Sequence, residues 1–118
     1  MQTPKLITLA LCLVAAAAAH ASTLLQGAHV IAAGTYGNGN VYITLDQSLD
    51  QAGCPGPYIE IIASGAAAPA LKSVLAVATS ALLTGNPVVV ATDACYPGSP
   101  NTSTFSGARG AAFGLAKP

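Results

Sequence analysis

The chain has 118 residues, 53% of them hydrophobic and only 7% charged, with four Lys or Arg against four Asp or Glu. That length holds one domain. It carries no basic stripe to neutralise phosphates, which argues against a nucleic-acid partner, and no Cys, His and carboxylate cluster at metal-ligand spacing, so neither metal nor cofactor is expected.

The first residues, MQTPKLITLALCLVAAAAAHA, place Lys5 before an apolar run from Leu6 to Ala19 and end in Ala19-His20-Ala21. This is the layout of a secretory signal peptide over residues 1–21, with cleavage expected after Ala21. The run is shorter than the roughly 18 to 20 apolar residues of a bilayer span, so it is not read as an anchor, and no membrane span is expected after processing. Residues 22–118 then form one secreted or periplasmic domain, and Cys12 and His20 leave with the leader. The mature chain keeps Lys72, Arg109 and Lys117 against Asp46, Asp50, Glu60 and Asp93. So few charges on so small a protein allow two readings: a partner subunit covers part of the surface, or a monomer presents Ala, Gly, Ser and Thr.

Ala28 to Tyr36 reads as a strand, with His29, Ile31 and Ala33 on one face and Val30, Ala32 and Gly34 on the other. Gly37-Asn38-Gly39-Asn40 is a hairpin turn. Val41 to Asp46 alternates cleanly, Val41, Ile43 and Leu45 one way and Tyr42, Thr44 and Asp46 the other. Gln47 to Pro57 reads as a loop, because Gly53, Pro55, Gly56 and Pro57 oppose regular pairing. Tyr58 to Ala63 is a third strand with Glu60 on its exposed face, and Ser64 to Ala68 is a flexible connection.

Pro69 suits the first turn of a helix, and Leu71, Val74, Leu75, Ala78 and Leu82 form one apolar stripe. Gly85 supplies the left-handed stop, Pro87 prevents the helix from resuming, and Val88 to Val90 favour a strand. Beyond Cys95, the loop YPGSPNTS leads into an irregular, Gly-bent fifth strand in which Phe105, Arg109, Phe113 and Leu115 share one parity, Phe113 and Leu115 forming its core end. Cys54 and Cys95 are the two cysteines that survive processing, and an exported chain with two cysteines has one intrachain pairing. A Cys54–Cys95 disulfide is therefore predicted. Two free thiols or a metal pair would lack further ligands.

The fold class is mostly β with one helix, in the order β-β-β-α-β-β. That order matches a five-stranded Greek-key barrel of the OB-fold type, with the helix between the third and fourth strands. An open α+β sheet with one helix on a face fits the same pattern. The strand VYITLD, the cysteine-bearing connection, the strand YIEII, the helix ALKSVLAVATSALLTG and the strand PVVVATDAC together resemble the B subunits of subtilase cytotoxin and the pertussis-like typhoid toxin. The resemblance covers about Val41 to Cys95 and the leader. It implies a secreted pentamer with helices around a central pore and an outer face for sialylated glycans. The aromatic residues that such subunits carry in the helix and the following strand are Ala78, Ala81 and Val90 here, and no sugar-site residue carries over.

Nothing in the chain marks catalysis. His29 has no nucleophile elbow to serve, Asp46 and Asp50 are too few for calcium, and the Gly37–Asn40 run opens a strand and lacks the lysine of a phosphate loop. Asn101-Thr102-Ser103 matches a glycosylation acceptor, which matters only on a eukaryotic secretory route. A non-enzymatic binding module is expected, in which Tyr36, Asn38, Tyr96 and Asn101 present loop aromatics and amides to a glycan or host glycoprotein. The alternative is an assembly subunit, its helix packing against neighbours through Ala76, Ala78, Ser80 and Ala81.

Overall fold

Alternation in the second predicted strand organises the molecule. In the computed structural model, which describes residues 21–118, Val41, Ile43 and Leu45 are buried while Tyr42 and Thr44 stay half-exposed. The predicted leader, residues 1–21, lies outside the described residues except for Ala21. Among the described residues, eight short strands and one α-helix make a mostly β structure: β1 (Leu25–Ala28), β2 (Val30–Thr35), β3 (Val41–Leu49), β4 (Gly56–Ile61), α1 (Leu71–Thr84), β5 (Val88–Ala91), β6 (Ala94–Cys95), β7 (Thr102–Thr104) and β8 (Ala112–Leu115). They form two sheets, a three-stranded one in the order β1-β5-β8 and a five-stranded one in the order β2-β3-β4-β7-β6. Neither sheet closes on itself.

The strand predicted over residues 28–36 is divided at His29 between the two sheets. β1 pairs with β5 and β2 with β3, both antiparallel. The Asp46 carboxylate accepts the His29 N–H at 2.8 Å and faces its Nδ1 at 3.2 Å, while Asp46 N–H donates to the His29 carbonyl at 2.9 Å. The ladder shifts between Val30 and Ala32, which leaves Ile31 as a bulged residue, 58% exposed. This changes the predicted faces. After the bulge Ala33, not Ala32, pairs with Ile43 and packs on the core, and Gly34 pairs outward with Tyr42.

The predicted loop 47–57 is shorter than expected, because β3 continues to the buried Leu49 and β4 starts at Gly56, its partner. A Cβ at Gly56 would lie 2.5 Å from the Asn101 carbonyl oxygen, so glycine lets the neighbouring segment close on the strand. Pro69 sits in a 3-10 turn over Ala68–Ala70, and α1 follows at Leu71. Gly85 ends the helix at φ 75°, its N–H donating to the Ala81 carbonyl at 2.9 Å. The buried stripe of α1 is Val74, Ala78 and Ala81, with Leu71 and Leu75 partly covered. Leu82, predicted to lie on that stripe, is 40% exposed. Small residues dominate the stripe because it packs close against β2 and β8.

The predicted fifth strand is two strands. β7 runs parallel to β4 and antiparallel to β6, and β8 runs antiparallel to β5. Residues 105–111 leave the ladder between them, held by Asp93, whose carboxylate accepts both the N–H and the hydroxyl of Ser106. Phe105 is buried and Phe113 half-buried, but Leu115 is 47% exposed and Arg109 lies on the exposed excursion. Parity fails here because the excursion resets it. The core joins Val41, Ile43, Leu45, Leu49, Ile59, Ile61, Val88 and Val90 to the inner face of α1. The Cys54–Cys95 disulfide is formed, with its Cα atoms 5.7 Å apart, and ties the β3–β4 loop to β6.

Candidate functional site

The five-stranded sheet buries one face and leaves the other open. Cross-strand partners share a face, and the pairs Gly34↔Tyr42, Tyr42↔Glu60, Thr44↔Tyr58 and Tyr58↔Thr102 all point away from the core. The opposite partners, Ile43↔Ile59 and Val41↔Ile61, lie inside. The outer face therefore carries Tyr42, Thr44, Tyr58, Glu60 and Thr102. Tyr36 stands at its edge, tilted against Tyr42 with ring centroids 5.0 Å apart. All four tyrosines of the chain gather around Glu60.

Gly34 makes room for this arrangement. A Cβ there would fall 2.5 Å from the Tyr42 hydroxyl oxygen and 2.7 Å from its Cζ, so the end of the Tyr42 ring lies directly over the glycine. The hairpin that presents Tyr36 is pinned by Asn40, which is 5% exposed. Its backbone N–H donates to Asn38 Oδ1 at 3.0 Å, its carbonyl accepts the Tyr36 N–H at 2.8 Å, and its Oδ1 accepts the Ala63 N–H at 3.0 Å. Its Nδ2 donates to Glu60 Oε2 at 2.9 Å and so orients the carboxylate. Gly39, at φ 91°, supplies the left-handed residue of the turn, and Gly39 N–H donates to the Tyr36 carbonyl at 2.9 Å.

Tyr96 approaches Glu60 from beyond β6. The Glu60 carboxylate, as hydrogen-bond acceptor for the phenol and as a nearby negative charge, raises the Tyr96 pKa above its ordinary value of 10.0. At neutral pH the phenol keeps its proton and can donate.

Two shallow depressions flank the carboxylate. One, about 310 Å³, is lined by Tyr36, Tyr42, Thr44, Tyr58, Glu60 and Thr102 among others. The other, about 480 Å³, lies between Asn38, Asn40, Ala63, Ser64, Tyr96 and Pro97. Their sizes fall near the lower end of the roughly 300–1,000 Å³ of small-molecule sites. Neither is lined by Lys, Arg or His.

Of the four residues proposed from sequence, the structure brings together Tyr36, Asn38 and Tyr96. Asn101 lies apart, against Gly56 at the other end of β4 from Glu60. Sequence reasoning missed Tyr42, Tyr58 and the role of Glu60, although their outward parity was readable. A different cavity, about 420 Å³, lies between α1 and residues 105–113, walled by Ala67, Val74, Val77, Phe105 and Phe113. Among the described residues no three His, Cys, Asp or Glu side chains gather as a metal site, and no helix is long and apolar enough to cross a membrane.

Comparison with models of known protein families, with curated proteins and with solved structures finds no match to this chain. The candidate site therefore stands on its geometry alone.

Proposed function

We propose that the protein is an exported, non-catalytic carbohydrate-binding module, similar in design to the toxin B subunits named above and built on an OB-fold-like barrel. The observation that carries this reading is the convergence of Tyr36, Tyr42, Tyr58 and Tyr96 around one oriented carboxylate on an open sheet face. Tyrosine rings stack on the C–H faces of sugars, and a carboxylate with neighbouring amides and hydroxyls fixes the hydroxyl pattern.

The topology supports the barrel. β1 and β2 are successive halves of one chain segment that pair with β5 and β3 respectively. β5–β6 and β7–β8 are two halves of one hairpin interrupted by residues 105–111, and β7 pairs parallel with β4. On this reading the two sheets are arcs of one ring, with its ladder broken at His29 and at the excursion. In OB-folds the face of the second and third strands and the loops after the first and fourth bind oligonucleotides or oligosaccharides. Here those are β3, β4, residues 36–40 and residues 96–101, and the lack of cations lining that face favours sugars over nucleic acid.

A glycan array probed with the exported protein tests this reading. Binding that Tyr58→Ala weakens at least tenfold supports it, since Tyr58 is 47% exposed and its loss leaves the core intact. An array on which wild type binds nothing removes it.

The second reading is an assembly subunit, pentameric if toxin-like. It draws on the outer side of α1, where Leu83 is 80% exposed beside Leu75, Ala76 and Thr79. The small residues expected in this role divide differently. Ala78 and Ala81 are buried within the subunit and unavailable to a neighbour, while Ala76 is exposed and Ser80 half-exposed. Sedimentation as a strict monomer rules this reading out.

A further inference from the structure

On the reading of the protein as a carbohydrate-binding module, we propose that the tyrosine face takes neutral glycans, seating adjacent free hydroxyls on Glu60, and rejects sialylated and sulfated ones. The resemblance in sequence points the other way, toward sialic acid, so the charge of the face decides between the two.

The carboxylates near the face have the wrong sign for an anion, and no Lys, Arg or His lines its two depressions. Glu60 sits at its centre, held by Asn40 and faced by Tyr96. Asp46, of the same outward parity as Tyr42 and Thr44, lies further along β3 and is occupied with His29. The three Lys and Arg side chains among the described residues lie elsewhere, and His29 is engaged by Asp46. Lys72 is on the outer side of α1, Arg109 is on the excursion after Phe105, and Lys117 follows β8. A sialic acid or sulfate seated against the rings would set a second negative charge within a few ångströms of Glu60 with no cation to offset it. A neutral sugar meets the opposite situation. Carboxylates accept hydroxyl hydrogens in charge-assisted bonds, and a vicinal diol offers two donors in the geometry of the two carboxylate oxygens. The tyrosine rings, with Thr44 and Thr102 beside them, provide the apolar platform and further polar contacts.

Titration of the exported protein with N-acetyllactosamine and with its α2,3- and α2,6-sialylated forms tests this. The expected result is binding of the neutral form at least about tenfold tighter than either sialylated form. Glu60→Gln, which keeps an acceptor for Asn40, is expected to weaken the neutral form and shrink the difference, whereas Tyr58→Ala weakens all three together. Equal or tighter binding of the sialylated forms would overturn the inference and leave the glycan reading in place. Binding of choline in preference to every sugar would assign the rings and Glu60 to a cation, and would overturn both. Absence of binding to any glycan on a broad array also removes both.

Discussion

Ser22 and Thr92, seventy residues apart, exchange two hydrogen bonds: Ser22 N–H donates to the Thr92 carbonyl at 2.8 Å, and Thr92 N–H donates to Ser22 Oγ at 3.0 Å. Thr92 Oγ1 in turn donates to Gln51 Oε1 at 2.9 Å, and all three residues are buried. Ser22 is also the residue predicted to become the first of the exported protein. Replacing it with Ala removes the acceptor of a buried N–H, at a cost of roughly 1–3 kcal/mol. Urea unfolding of Ser22→Ala should show that loss as a lower midpoint with an unchanged slope. If the predicted leader is removed after Ala21, intact mass should place the first residue at Ser22, a start that keeps this contact.

Gly34→Ala and Gly56→Ala separate site from scaffold. At position 34 the new methyl meets the hydroxyl end of the half-exposed Tyr42 ring, so the ring is displaced and stability changes little. At position 56 it meets the Asn101 carbonyl oxygen in the backbone at 2.5 Å, and β4 and the segment leading into β7 must part. The thermal midpoint should fall clearly for Gly56→Ala and hardly for Gly34→Ala. On the proposed carbohydrate-binding reading, glycan binding should fall for Gly34→Ala.

The disulfide closes a loop across a sequence separation of 41 residues. In the chain-entropy model that destabilises the unfolded state by roughly 4 kcal/mol, a large part of the total for a domain of this size. Denaturation with and without reductant should differ by about that amount. Equal midpoints under the two conditions would remove the disulfide from the account of stability.

Asp46 has a lowered pKa, below the usual 3.8, chiefly because it accepts the His29 backbone N–H. A carboxyl whose folded pKa is depressed contributes stability that is present above its unfolded pKa and is lost as pH falls through the folded one. Acid titration should therefore destabilise the protein as pH falls from about 4 downward. Asp46→Asn should flatten that limb, with a small effect because the group is exposed to solvent. An identical acid limb in the variant would place the sensitive carboxylate elsewhere.

Much of the local structure was legible because its signals are short-range. Strict alternation over residues 41–45 gave the two faces of β3, Gly85 and Pro87 ended α1, and two remaining cysteines left one pairing. Legibility failed where a single extra residue changes parity. The bulge at Ile31 moved Ala33 inward, and the excursion after Phe105 split one expected strand and left Leu115 exposed. A bulge depends on the partner strand, and no pattern in its own segment marks it.

By itself, then, the sequence determined a mostly β chain with one helix, its turns and its disulfide, because periodicity, glycine and proline act within a few residues. Tertiary structure alone decided that Tyr36, Tyr42, Tyr58 and Tyr96 would meet around Glu60. The strand register that pairs Tyr42 with Glu60 and Thr44 with Tyr58 is fixed by burial of Ile43, Ile59 and Ile61 on the opposite face, so the core places the site.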